Sequence, residues 1–388
     1  MKAITLITNY FPPETGAASN RIAQLALGLQ KRGYSVRVIC PLPNYPKGRI
    51  FEGYRGKLMH IEHFEGIPVT RLYIFPSNSN QKFKRLFAML SFSFSLGVYR
   101  LLHSRKFAEK IIIQSPPLIL SASALFFFNR NKRKLILNVS DLWPSAGLEL
   151  GALQKGRMYA LLERLERYIY KKAHLVLGQS KEIIARVLEV NPKQQTFLYR
   201  NLPQASRLNF DSDESDVEQP IKLVYAGLLG IAQGIVKLCE NIELGNHELH
   251  IYGGGAEQQA LQDYLKNSEK PIFYHGEVSR KHLLKQLGSY DLAIVPLTRA
   301  IYGSTPSKIY EMALGGLPML YFAGGEGEQV MQDYELGYVV EPGDFQALNR
   351  LLVDLKKNEL KQMSEKIRES AAQHFNLDLQ LDALVQLL

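Results

Sequence analysis

Residues 2–40 read KAITLITNYFPPETGAASNRIAQLALGLQKRGYSVRVIC, and the order of patterns within them decides the fold. KAITLIT is short, apolar and β-branched, as a buried strand is. A loop rich in proline and glycine follows, NYFPPETGAASN. Ile22, Leu25, Ala26 and Leu29 then recur at helical spacing, and Gly33 closes that helix. YSVRVIC is a second strand. Strand, loop, helix and strand in succession make a βαβ unit, whose crossover sets the two strands parallel. Such sheets hold ligands beyond the carboxyl ends of their strands, so chemistry is expected in the loops there.

Outward from this unit the alternation continues. KIIIQ (110–114), KLILNVS (134–140) and LVLGQS (175–180) read as strands, with a helix on Leu161, Leu162, Leu165 and Tyr168 before the last. A polar, acidic stretch from Leu202 to Pro220 interrupts the series and reads as a linker. Alternation then starts afresh with IKLVYAG (221–227), HELHIYGGG (247–255), PIFYHGEV (271–278), DLAIVPL (291–297), LPMLYFAG (317–324) and GYVVEPG (337–343). The fold class expected is α/β, with two Rossmann-like domains that each carry a parallel sheet. A chain of 388 residues suits two domains of ordinary size.

Composition narrows the functional classes. Cys40 and Cys239 fall in different halves without metal-ligand spacing, so a reduced, cytoplasmic compartment is expected. The chain enters KAITLIT with no basic-then-apolar leader, and the apolar-leaning run Leu86–Val98 is too short for a bilayer, which takes about 20 residues. The net charge of +10 is unevenly placed: Lys82, Lys84, Arg85, Arg100, Arg105 and Lys106 bracket LFAMLSFSFSLGVYRLL. A solvated basic face, a phosphorylated substrate and an anionic membrane surface all fit this charge. No helix-turn-helix, zinc finger or aromatic RNA-binding motif is visible, so no nucleic-acid partner is expected.

The loops after the strands hold the candidate site. In GSTPSKIYEMALGGLP (303–318), Thr305 is placed to cap a helix whose first residue is Pro306. The free N–H groups of that end and Lys308 would attract an anion, with Glu311 on the same face. A surface helix with an ion pair of that spacing is the other reading. PPETGAASNR puts Gly16 just before a helix, where bare backbone can approach phosphate. YAGLLGIAQG carries Gly227, Gly230 and Gly234, and IYGGG carries Gly254. Neither matches the dinucleotide-binding pattern GxGxxG or the phosphate-loop pattern GxxxxGK[ST], so a nucleotide-dependent oxidoreductase or NTPase lacks its fingerprint. Asp141 in NVSDLWP is either a turn cap or a carboxylate for acid–base work. No DxD-like metal motif stands in either domain.

Taken together, NYFPPETGAASNR, SDLWP, YAG with AQG, YGGGAE, YHGEV and PSKIYEMALGGLPML resemble, in order and spacing, the retaining glycosyltransferases of family 4. The resemblance runs nearly end to end. It implies the GT-B fold: an acceptor-binding domain at 1–201, a linker at 202–220, a donor domain at 221–370, and a C-terminal helix at 371–388 returning to the first domain. PNYPKGRIFEGY, with Asn44 and Tyr45, and PSKIYE are similar to enzymes of bacterial O-antigen, capsule or exopolysaccharide synthesis that transfer amino-deoxy sugars such as N-acetylfucosamine.

Further implications follow residue by residue. The family's paired glutamates fall at 303 and 311, where this chain has Gly303 and Glu311. Glu311 is then expected on the ribose of a nucleoside diphosphate, UDP above others. Sugar recognition passes to backbone and to neighbours such as Ser304 and Ser307. The family's two loop cations fall at Leu228 and Gln233, which leaves Lys308, Arg299 and the helix mouth at Thr305 and Pro306 to offset the diphosphate. The base is expected near Gly254, Glu277 and Val278, the diphosphate near Gly16, Lys308 and Arg299, and Gly227 and Gln233 among the other donor-binding residues. Asp141 would orient or deprotonate the acceptor. No metal or other cofactor is expected. The acceptor implied is a polyprenyl-diphosphate-linked glycan, met at the inner face of a bacterial plasma membrane, with Lys82, Lys84 and Arg85 on the membrane side. A sugar-nucleotide epimerase of the same fold and a non-catalytic sugar-binding module are the alternatives.

Overall fold

A computed structural model describes residues 2–77, 82–149, 151–204, 219–300 and 302–388, the side chains of 82, 83 and 85 excepted. The chain divides into two compact units, Met1–Asn201 with Asp378–Leu388, and Leu202–Leu377. Most of the 202–220 stretch read as a linker lies outside the described residues.

The first unit holds strands β1 (Ala3–Ile7), β2 (Ser35–Pro41), β3 (Met59–Phe64), β4 (Ile67–Leu72), β5 (Lys110–Ser115), β6 (Lys134–Val139), β7 (Leu175–Gly178) and β8 (Gln195–Leu198). Its main helices are α1 (Ala17–Lys31), α2 (Lys82–Leu102), α3 (Leu118–Phe127), α4 (Ser145–Glu149), α5 (Arg157–Lys172) and α6 (Lys181–Val190). The sheet order is β3-β4-β2-β1-β5-β6-β7-β8. β1 and β2 pair in parallel across α1, as the opening stretch dictates, and Ile22, Leu25, Ala26 and Leu29 are buried.

One strand departs from the parallel reading. β3 runs antiparallel to β4, because Glu65 and Gly66 join them with φ of 49 and 81°. Two consecutive positive φ values make the tight turn that suits the right-handed twist of a hairpin, and two residues cannot span a parallel crossover. In α5 the spacing also misleads at Leu161, which is 51% exposed, whereas Ile169 and Tyr170 are buried. The core joins strand residues Ile111, Ile113, Leu135, Leu137 and Val176 to Phe92, Leu96, Leu125 and Ile169 from the helices. Each such side chain contributes about 1.5–3 kcal/mol by burial.

The second unit holds β9 (Lys222–Ala226), β10 (Glu248–Tyr252), β11 (Ile272–Gly276), β12 (Leu292–Pro296), β13 (Met319–Phe322) and β14 (Gly337–Val340). Between and after them run α7 (Ile235–Asn241), α8 (Gln258–Leu265), α9 (Arg280–Leu287), α10 (Lys308–Gly315), α11 (Glu326–Asp333), α12 (Phe345–Asp354) and α13 (Lys357–His374). All its strand pairs are parallel, in the order β11-β10-β9-β12-β13-β14. The last helix, α14 (Leu377–Leu387), belongs to the first unit from Asp378 onward, later than the expected 371, because α13 continues to His374. Leu381 packs where a Cβ on Gly28 of α1 would stand, and Arg32 pairs with Asp378 and Asp382 at 3.1 and 2.6 Å.

Candidate active site

In both sheets the strand order reverses once, and the loops beside a reversal open a crevice where ligands bind. In the second unit the reversal lies between β9 and β12, so the loops starting at Gly227 and Leu297 flank it. In the first unit it lies between β1 and β5, which places the loop from Thr8 to Gly16 there.

Glycines let the second unit's loops close on each other. Leu229 N–H donates to Gly254 O at 2.9 Å, and Gly227 N–H donates to Tyr252 O at 2.9 Å. Gly253 has φ +131°, and a Cβ there would stand 1.8 Å from Gly227 O. Only glycine fits at that approach. Gly254 faces Glu277, whose Oε1 would lie 2.4 Å from a Cβ at 254. Two of the three residues expected around the base are thus neighbours.

Lys308 is the centre of the arrangement. Its Nζ stands 4.8 Å from the centre of the Tyr225 ring and occupies the space beside Gly227 where a Cβ would be, 1.4 Å away. Burial pushes this ammonium down to about 8, against the pull of Glu311. Lys308 therefore reaches the carboxyl end of β9, beside the loop that carries Leu228 and Gln233. Leu228 is 65% exposed, and Gln233 folds back on Gly230.

The helix mouth differs from the sequence reading. α10 begins at Lys308, not at Pro306, and its N-cap is Ser307, which makes no side-chain capping bond. Pro306 stays in the loop, and its carbonyl accepts from Ile309 N–H at 3.1 Å, which satisfies one donor of the mouth. Thr305 caps nothing: its hydroxyl is buried and has no partner among the described residues. The Thr-Pro pair is a strong local start signal, yet the chain uses it to turn into the loop. Ser304 and Ser307 are half-buried beside it. Arg299 is exposed, and its side chain makes no ion pair or hydrogen bond among the described residues, so the structure does not gather it with Lys308.

Glu311 lies one turn into α10, 18% exposed, and pairs with the guanidinium of Arg280 at the start of α9. The ion-pair reading of Lys308 with Glu311 thus gives way to Arg280, which sequence spacing did not single out. Val278 lines a cavity of about 420 Å³ with His250, Tyr252, His275, His282 and Tyr290. The Tyr252 and His275 rings stack at 4.4 Å and 14°, and the Tyr252 and Tyr290 hydroxyls share a hydrogen bond of 2.7 Å. The cavity's one signal in the sequence was the alternation of His250 and Tyr252 along β10.

In the first unit, Gly16 sits at the start of α1 with φ +138°, and its Cβ position is 3.6 Å from the Tyr45 ring. Glu14 Oε1 accepts from the N–H groups of Asn44 and Tyr45 at 2.8 and 2.9 Å. Asn44 and Tyr45 therefore stand beside Gly16, held by a buried carboxylate that sequence reading passed over. Burial pushes the Glu14 carboxyl up. Asp141 is raised for the same reason, with Arg21 and the Ser140 hydroxyl opposing. Arg21 is itself buried and bonds Gln179. Lys84 is exposed on α2, while the side chains of Lys82 and Arg85 lie outside the described residues.

Residues 16–198 match the family described as Glycosyl transferase 4-like domain, and residues 207–374 match Glycosyl transferases group 1. A protein of Escherichia coli (strain K12), described as the colanic acid biosynthesis glycosyl transferase WcaI, is 24% identical over 340 residues, covering 81% of this chain and 82% of that one. Among solved structures, sucrose-phosphate synthase from Thermosynechococcus elongatus superposes with a TM-score of 0.75 at 17% identity, over 100% of this chain and 98% of that one. Anabaena HepE in complex with UDP and glucose gives 0.69 at 14% identity, over 100% and 99%.

Proposed function

The chain belongs to the family 4 glycosyltransferases of GT-B fold, and from that premise we propose a retaining enzyme that moves a sugar from UDP to a polyprenyl-diphosphate-linked glycan. The sugar is of the amino-deoxy class, such as N-acetylfucosamine, and the product is a bacterial surface polysaccharide. The enzyme works at the inner face of the plasma membrane as a peripheral protein. The observation that carries the reading is the Lys308 ammonium held beside Gly227 at the strand-order reversal, with Glu311 one turn deeper.

The chemistry needs charge at the leaving group. As the glycosidic bond to the diphosphate lengthens, negative charge grows on the phosphate oxygen, and a preorganised cation there stabilises that state more than the ground state. Lys308 supplies it in place of the missing loop cations, and the Thr305 hydroxyl, which has no partner among the described residues, offers a further donor. Glu311 accepts from the ribose hydroxyls, and the base occupies the His–Tyr cavity beside Val278. The acceptor hydroxyl attacks on the face the diphosphate leaves, giving its proton to the departing phosphate oxygen, with Asp141 orienting it. This sequence needs no metal. Proton NMR of the first-formed product tests the stereochemistry: the donor's anomeric coupling should be retained, and an inverted anomer would overturn the mechanism.

A further inference from the structure

Helix α2 has two faces of opposite fate. Phe92, Leu96 and Tyr99 are buried in the first unit's core. On the other side Phe87, Leu90, Phe94, Val98 and Leu101 recur at helical spacing and are exposed, Phe94 by 74% and Leu101 by 72%. Gly97 lets α3 cross closely, since a Cβ there would meet the Phe127 ring at 2.9 Å. That crossing leaves Phe126 of α3 76% exposed. The stripe from Phe87 to Leu101 spans about 21 Å, at 1.5 Å of rise per residue. A soluble surface scatters such side chains singly, so a contiguous row calls for a partner.

Charge identifies the partner. Between 66 and 140, Glu109 is the sole acidic residue, and the lysines and arginines of that segment account for the whole of the chain's formal +10. Lys84, Arg105 and Lys106 are exposed around the stripe. A second copy of this chain would bring like charges together, whereas an anionic bilayer matches both the charge and the apolar row. We infer that α2 lies flat on an anionic membrane and inserts Phe87, Phe94, Leu101 and Phe126 at the headgroup boundary while its buried face holds it to the unit. No helix among the described residues is long and apolar enough to cross a membrane, so attachment is from one side. The docking deepens the proposed reading of a lipid-linked acceptor; it rests on that reading for biological purpose alone.

Co-sedimentation with vesicles that contain no acceptor separates the two ideas. Wild type should bind phosphatidylcholine vesicles doped with phosphatidylglycerol and leave pure phosphatidylcholine largely unbound. Lys84→Gln, Arg105→Gln and Lys106→Gln should each weaken binding at low salt by about fivefold. Phe94→Ser with Leu101→Ser should keep the salt dependence yet abolish the fraction that resists high salt, with an unchanged melting temperature because both side chains are exposed. Equal binding to neutral and anionic vesicles would overturn the inference. So would wild-type retention by the Phe94/Leu101 variant, or a dimer in solution that this variant dissolves. Vesicle binding here, with no transfer in a separate assay that supplies donor and lipid-linked acceptor, would sink the proposed reaction and leave the docking in place; transfer in that assay without vesicle binding would do the reverse.

Discussion

Gly227→Ala displaces the Lys308 ammonium without altering the lysine itself. The added Cβ would stand 1.4 Å from Nζ of Lys308 and 2.7 Å from its Cε, so the ammonium must leave. Those atoms end a flexible side chain, and Gly227 is not among the glycines with positive φ, so the backbone accepts alanine. A hydrogen bond to a charged group contributes about 1.5–3 kcal/mol, which corresponds to a loss of roughly 10- to 100-fold in UDP affinity. The turnover should fall further, since the charge on the leaving group grows in the transition state. The melting temperature should stay within about 2 °C, as 1 kcal/mol shifts a domain of this size by about 2–4 °C. Gly253→Ala is the contrasting change. Its Cβ would meet Gly227 O at 1.8 Å in a backbone with φ +131°, and neither can yield. There the fold should lose about 3 kcal/mol or more. Calorimetric titration with UDP and scanning calorimetry on both variants give the two readouts. A folded Gly227→Ala protein that binds UDP as wild type does would refute the assignment of Lys308 to the diphosphate.

Three further outcomes follow from the site. The Lys308 ammonium, held down to about 8, is charged below that pH and neutral above it, so donor affinity should weaken as pH rises through about 8; Lys308→Ala should be weaker throughout and lack that limb in a titration series. Glu311→Gln should weaken UDP binding by about tenfold or more, whereas Arg280→Gln should change it less than about fivefold, because the Arg280 side chain is 58% exposed and such pairs contribute about 1 kcal/mol or less. Asp141 is raised by burial, so its ionised form is lost as pH falls, at a higher pH than for an ordinary carboxyl; Asp141→Asn should lower turnover and remove that acid limb while leaving the KM for donor nearly unchanged.

The fold was legible because parallel strands buried on both faces read as unbroken apolar runs, and the crossover helix between the first two kept a clean spacing. The β3–β4 hairpin was not, since Met59 and Ile61 are exposed and its strands lack that run. Its turn, Glu65-Gly66, is a weaker signal than Asn-Gly. At the site, residue types singled out Lys308 and Glu311 but not who touches whom. Lys308 meets Tyr225 and Gly227, and Glu311 meets Arg280, across gaps in sequence that no local period spans. Glu14 escaped notice because its partners are the backbone amides of Asn44 and Tyr45, which every residue carries. Thr305-Pro306 misled for the opposite reason: the local preference was real, and the loop that reaches Lys308 overrode it.

The most direct measurement is nucleoside diphosphate release from a panel of UDP- and GDP-sugars, with and without a polyprenyl-diphosphate-linked glycan. One donor class, a UDP-linked amino-deoxy sugar, should release UDP only when the acceptor is present, with Lys308→Ala and Glu311→Gln both suppressing release. Conversion of a donor to its epimer without acceptor, or binding with no release from any donor, would contradict the proposed transfer.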